Sequence, residues 1–246
     1  MLRKNIVGLL ICIAALGITS LGFAGIPDVT RCSAEMLNMT ADQVNVYNTP
    51  DGSGYLMTEA RDKDTAPGSW EDATITVTLI DGTAAPGNPV FAYPFEDLWL
   101  ENNSLTPYVI DDVFPFDPPT GAPGLIACPN GTVADASTDI NGQTTFSGPF
   151  YAGGHSEYTN DGNDDNDTKT YVMVSSAPID DPLKLLFNSA DINGDGVWNS
   201  DTDVFLFSLL YPAGIGYHYD VDFYFDEVND LSDLVLFSAA RFVQCP

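Results

Sequence analysis

Between Val44 and Pro178 the apolar residues come in short runs, and where a run is long enough to show a period, that period is two. In ATITVTLI (73–80), Ile75, Val77 and Leu79 alternate with threonines, as expected of a strand with one buried and one wetter face. Other β-prone words follow along the chain: VNVY at 44–47, GYLMTEA at 54–60, NPVFAYPFEDLWLE at 88–101, GQTTFSGPFYA at 142–152 and KTYVMVSSA at 169–177. Gly, Pro, Asn and Asp separate them. The link DGTAAPGNP (81–89) is rich in turn residues, and Asn141-Gly142 between extended flanks predicts a two-residue hairpin. No part of this region keeps a 3.6-residue apolar period. The expectation is therefore a mainly β chain, with an antiparallel β-sandwich of about seven strands over 45–178 after an N-terminal segment 25–44.

From residue 179 to 246 the texture changes. PLKLLFNSADINGDGVWNSDTDVFLFSLL is followed about thirty residues later by YHYDVDFYFDEVNDLSDLVLFSAARF, and the tails DVFLFSLL and DLVLFSAA agree at four of eight positions. Each copy is an acidic loop leading into an apolar run, Val204 to Phe207 and then Leu234 to Phe237, with Ser208 and Ser238 in equivalent places. Both runs are read as short helices, a length at which periodicity alone does not exclude strands.

The loop DINGDGVWNSDTD spaces its oxygen side chains as a calcium loop does. Calcium takes six to eight oxygens, supplied from positions one, three and five, a backbone carbonyl at seven and an acid at twelve, with glycine at six for the sharp turn. Asp191, Asn193, Asp195, Gly196 and the carbonyl of Val197 fit this frame, but the twelfth residue is Thr202. Aligning the two apolar runs makes Asp203 the closing acid, one residue late, with a bulge near Asn199 to Asp201. The second frame runs from Asp222, with Asp226 at five, Asp230 at nine and Asp233 at twelve. There Tyr224 replaces the oxygen donor at three and Glu227 stands where glycine is expected, so the second site should be weaker or empty.

The duplicated loop-helix unit, over about 183–243, resembles the dockerin module, a small α-helical, paired calcium-binding domain that plugs secreted proteins into cohesin partners. The resemblance implies calcium as the bound ion and a cohesin-like or other extracellular protein as the partner. The TITVTL strand, the P-G-x-P-V turn and the D-x-N-G-Q-T-T-F strand are similar to those of bacterial Ig-like domains of surface and adhesion proteins, which implies an Ig-like sandwich and no particular activity.

Charge supports cation binding. The chain carries 35 acids against eight Lys and Arg, and 28 of the acids are Asp, a residue of turns rather than helices. So negative a surface repels nucleic acid and anionic lipid. The opening MLRKNIVGLLICIAALGITSLGFAG places Arg3 and Lys4 before an apolar run and small residues before residue 25, the pattern of a secretory signal peptide over 1–24. Its removal leaves six basic residues, all 35 acids and no membrane-binding segment. Export predicts an oxidising compartment and one disulfide among Cys32, Cys128 and Cys245; three pairings are open, and the position of the first two ahead of the change in texture favours Cys32–Cys128.

Other groupings read as structural. NDGNDDNDTK (160–169) lacks the spacing of a cage, and DINGQ at Asp139 loses the calcium pattern at Gln143 and reads as a β-turn. Phe91, Tyr93 and Phe95 would share one strand face and pack the core, the alternative being a glycan-stacking platform. No G-x-S-x-G elbow is present, and His155 and His218 are 63 residues apart, so a hydrolase is not expected. The expectation is a secreted bacterial protein, non-catalytic, that binds calcium and mediates attachment or assembly. Two alternatives are an accessory protein of polysaccharide binding or degradation docked to a cohesin scaffold, and a subunit of a surface layer or fibre.

Overall fold

The computed structural model describes residues 25–83, 87–102, 121–159, 167–179, 182–199, 201–211 and 216–246. The expected signal peptide, and most of the acidic run 160–169, lie outside the described residues. Among those described, no helix is long and apolar enough to cross a membrane.

The chain is mainly β. Its strands are β1 (Ser33–Asn38), β2 (Val44–Asn48), β3 (Ala60–Asp62), β4 (Trp70–Thr78), β5 (Leu98–Asn102), β6 (Ile126–Ala127), β7 (Gln143–Phe146), β8 (Ala152–Gly153), β9 (Thr170–Val174), β10 (Ala177–Pro178) and β11 (Leu185–Ser189). Two helices follow, α1 (Asp203–Leu210) and α2 (Leu231–Ala239), so both apolar runs of the repeat are helical as read.

The larger sheet has the order β1-β4-β3-β2-β11, with β7 also paired to β4. β4 carries the alternation seen in the sequence: Ala73, Ile75 and Val77 are inside while the residues between them are only partly covered. A smaller antiparallel sheet, β10-β9-β5, supplies Leu98, Leu100, Val172 and Val174 to the same core as Ile75, Val77, Val44, Val46 and Phe187. Among the described strands, pairing is antiparallel except between β11 and β2, which run parallel with Leu185 opposite Val44 and Ser189 opposite Asn48, and an isolated parallel bridge joins Thr49 to Tyr151 just beyond β2. That one parallel pair departs from the purely antiparallel sandwich expected.

Every residue of β2 and β11 is buried, which a sheet with one wet face would not allow. The reason is that both faces are covered. Val44, Val46, Leu185 and Phe187 enter the core shared by the two sheets, while Tyr47 joins a second core with Ile192, Trp198, Leu206, Phe207, Phe223 and Phe237 from the two loops and their helices. Phe207 stacks on Phe237 with centroids 4.2 Å apart, and Trp198 tilts onto the same ring at 5.5 Å. A buried polar seam joins the layers. The Asn45 amide donates to Asn188 Oδ1 at 3.0 Å, the Tyr219 hydroxyl lies 2.8 Å from both Asn45 Oδ1 and the Phe187 carbonyl, which share its single proton, and the Asn188 amide donates to the Asp222 carbonyl.

Three local expectations are corrected. Asn141-Gly142 do turn, with Asp139 Oδ1 accepting the N–H groups of Asn141 and Gln143 and Gly142 at φ 73°; the Asp139 N–H donates to the Gln143 carbonyl at 2.8 Å and the Asp135 N–H to the Thr145 carbonyl at 2.9 Å across the turn, but the strand that pairs in register with β7 is β4. Phe91 and Phe95 are exposed and only Tyr93 is buried, because the segment stays irregular until a 3-10 turn at Phe95–Asp97 leads into β5. The disulfide joins Cys128 to Cys245, and Cys32 is a free thiol; the C-terminal tail returns to the β-rich part of the chain, so the change in texture is no guide to distance.

Cys245→Ser opens a cross-link between residues 117 apart in sequence. Its expected cost is about 2–5 kcal/mol, read as a lower urea midpoint in non-reducing buffer, whereas Cys32→Ser shifts the midpoint by less than about 1 kcal/mol.

Candidate functional site

An aspartate side chain is short enough to accept N–H bonds from the residues just after it, which curls an Asp- and Asn-rich segment around its own carboxylates. In the first loop Asp191 is fully buried, its Oδ1 accepting from the Asp195 N–H at 3.2 Å and its Oδ2 from the Gly196 N–H at 2.8 Å. Asn193 Oδ1 accepts from the Asp195 N–H at 3.3 Å, and the Asn193 amide donates to Asp195 Oδ2 at 3.2 Å. Asp195 Oδ1 accepts from the Val197 N–H at 3.0 Å, and the Val197 carbonyl accepts from the Asn199 amide at 3.4 Å. Gly194 and Gly196 take φ of 70° and 86°, the left-handed region that glycine enters without steric cost.

Asp203, not Thr202, closes this loop. It is buried at the start of α1, with Oδ1 accepting from the Ile192 N–H at 2.9 Å and Oδ2 from the Asn199 N–H at 2.8 Å. The added residue therefore falls between Asn199 and Asp203, where Asn199 Oδ1 accepts from the N–H groups of Asp201 and Thr202 at 3.0 and 2.9 Å.

The second loop repeats the plan. Asp222, buried, accepts at Oδ1 from the Asp226 N–H at 3.3 Å and at Oδ2 from the Glu227 N–H at 3.0 Å. Asp226 Oδ1 accepts from the Val228 N–H at 3.1 Å. Asp233 closes, accepting at Oδ2 from the Asp230 N–H at 2.9 Å and at Oδ1 from the Tyr224 N–H at 3.0 Å. Asp230 caps α2 through a bond from the Ser232 N–H at 2.7 Å. Phe225 and Glu227 take φ of 55° and 64°, the positions held by Gly194 and Gly196 in the first copy. The two loops thus share a backbone, and the second adopts it with side chains poorly suited to the left-handed region.

Burial sets the electrostatics. Desolvation, the largest cause in each case, pushes Asp191 up to about 6 and Asp203 up to about 7 against bonds from the loop N–H groups, and neighbouring aspartates add to the rise. Asp222 rises to about 7 and Asp233 to about 6 on the same ground. Asp226 is raised as well, chiefly by burial. Such carboxylates resist charging alone and would gain from a cation. Among the described residues, no group of three or more His, Cys, Asp or Glu side chains stands gathered as a metal cage. The residues able to hold calcium in the first loop are a mixed set, the three aspartates with Asn193 and the Val197 carbonyl.

Sequence reading named Asn199 only as the start of the bulge, although it occupies the place of Asp230 in the other copy. It also gave no signal for Gly153, whose backbone roofs the site: a Cβ there would overlap the Asp191 carboxylate, and the Gly154 N–H donates to the Asp191 carbonyl at 2.7 Å. The C-terminal tail holds the opposite side, with the Cys245 N–H donating to the Gly196 carbonyl at 2.8 Å and the Trp198 N–H to the Val243 carbonyl at 2.9 Å. No protein-family model, curated protein or solved structure matches this chain.

The raised carboxylates fix a pH dependence. Their folded values lie above the ordinary 3.8, so between about pH 4 and 7 the folded chain binds more protons than the unfolded one, and stability falls as pH rises through that window. Metal-stripped protein should therefore melt at a higher temperature at pH 5 than at pH 7.5, and Asp203→Asn should flatten that slope. A melting temperature that climbs steadily from pH 5 to 7.5 without metal would contradict the assignment.

Proposed function

We propose that this is an exported bacterial protein, non-catalytic, that binds calcium in the Asp191–Asp203 loop and uses the calcium-dependent loop-helix unit for attachment to, or assembly with, an extracellular partner. The observation that carries the reading is the shared construction of the two loops. In both, a buried first aspartate accepts the N–H groups of positions five and six, positions four and six are left-handed, and a buried closing aspartate accepts the N–H of position nine. Two sequences that differ at most positions take one ligand-loop geometry, which an Asp-rich linker has no reason to do.

The role of the ion follows from the burial. Asp191 and Asp203 face one another's field inside the fold, and a divalent cation neutralises both while drawing in Asn193 and the more exposed Asp195. Binding is then coupled to the ordering of the loop and of α1 behind it. An outward face suited to a protein partner belongs to this unit: Leu231 and Val235 are exposed and line a groove with Tyr55, Tyr224 and Leu236. Cohesin-type docking is the mode that the dockerin resemblance implies for such a surface.

Calcium at a hundred times its Kd should stabilise the wild type by about 2.7 kcal/mol, roughly 5–10 °C for a chain of this size. In differential scanning calorimetry, Asp195→Ala should lose most of that gain while melting near the wild-type temperature in chelator. Mutant and wild type melting together in calcium would defeat the reading.

A further inference from the structure

The loops share a backbone, but their surroundings differ at each point where an ion would bind. In the first copy, the Asp191 carboxylate accepts, among the described residues, from N–H groups of its own loop. In the second, Asp222 Oδ2 also accepts from the Tyr217 hydroxyl at 2.9 Å, so an oxygen that a cation would need is already engaged. Position three is an oxygen donor, Asn193, in the first copy and Tyr224 in the second.

Tyr224 has a different use. Its ring lies over the Arg61 guanidinium at 3.9 Å, and Trp70 covers the other side at 3.1 Å. Arg61 is 2% exposed, its Nη1 donates to the Gly68 carbonyl at 2.6 Å, and its Nε has no hydrogen-bond partner. Gly68 in turn lies against Asp226, so closely that a Cβ on it would meet the Asp226 Cβ at 2.7 Å. A permanently charged group is thus buried beside positions three and five of the second loop, and its attraction works to lower the Asp226 pKa. A guanidinium held between aromatic faces keeps its charge when desolvated.

We propose that the chain takes up a single calcium ion, in the Asp191–Asp203 loop, and that the Asp222–Asp233 loop is a metal-free copy whose neighbouring cation is the buried guanidinium of Arg61. This rests on the calcium reading of the first loop. The second loop keeps the calcium-loop shape because Arg61 supplies positive charge from outside it, Tyr217 fills the outer oxygen of Asp222, and Glu227 turns outward, accepting from the Tyr158 hydroxyl at 3.3 Å. The cost of the left-handed Phe225 and Glu227 is repaid by packing, since Phe225 is buried against Tyr158 and Tyr219.

The test is calcium titration of the purified, metal-stripped full chain by isothermal calorimetry, with bound metal counted by native mass spectrometry. One equivalent per chain is expected. Two equivalents overturn the proposal, and none removes instead the calcium reading of the first loop. Single substitutions then locate the ion at two sites that lie near the surface, so that folding is retained and checked by circular dichroism. Asp195→Asn should weaken the one binding event at least tenfold, while Asp226→Asn leaves its Kd within about threefold, since the second loop holds no metal. The reverse pattern would place the ion in the second loop and overturn the assignment.

Discussion

A carboxylate taken out of water must be met by donors or by positive charge, and this fold buries four of them, Asp191, Asp203, Asp222 and Asp233, within two short loops. The rise in their pKa to about 6 or 7 corresponds to a penalty on the order of 3 kcal/mol per charged group at neutral pH. Backbone N–H groups offset part of this. The loops curl as they do because every turn brings another N–H toward an aspartate oxygen. What remains unmet in the first loop is what a divalent ion would satisfy, and beside the second the Arg61 guanidinium acts on Asp226.

The same constraint explains why the loops cannot stand apart from the sheet. Asp222 is held through its carbonyl by the buried Asn188 amide, and Asn188 shares a hydrogen bond with Asn45 on the neighbouring strand. A polar seam of this kind is stable only when each member has its partner. That requirement aligns β2 with β11 and fixes the second loop above them. The aromatic stack of Phe207, Phe223 and Phe237, with ring centroids 4.2–6.2 Å apart, then packs α1 and α2 onto the face of Tyr47. The sixty residues of the repeat would bury little surface alone; their core is completed by a strand from early in the chain.

How legible this was depends on whether the signal was local. The alternation of Ile75, Val77 and Leu79 is local, and β4 follows it. So are the acid at the head of each apolar run and the matching tails, and α1 begins at its closing aspartate while α2 begins two residues before its own. Placing Asp203 rather than Thr202 at the close required only that the two tails be aligned. Long-range pairing was not legible. LLFNS reads as the approach to a calcium loop, and nothing in it announces a parallel partner 141 residues earlier, from Leu185 back to Val44. Cys245 gives no hint that it lies beside Cys128. The Arg61 stack was hidden for the same reason: Tyr224 looks like a defect in a calcium loop until the guanidinium from β3 is seen beneath its ring.

The two loops are also anchored by different means, and the difference agrees with their proposed roles. The second is fixed from below by the polar seam and from the side by Arg61, Tyr217 and Tyr158, so its shape is determined by protein atoms. The first is gripped at its rear by Gly153 and at one flank by the tail that Cys128 secures through Cys245, while Asp195 and Val197 remain exposed. An ion can reach that loop from solvent and complete it with little rearrangement of the core. Binding would then tighten the outer turn against a tail that is covalently tied to Cys128, so that order gained at Asp195 is passed to α1 through Asp203 and to the β-rich part of the chain through the disulfide. A fold with so few basic residues places one of them, Arg61, beside the second loop, and under the proposed reading the solvent-facing loop is the one that would take a metal.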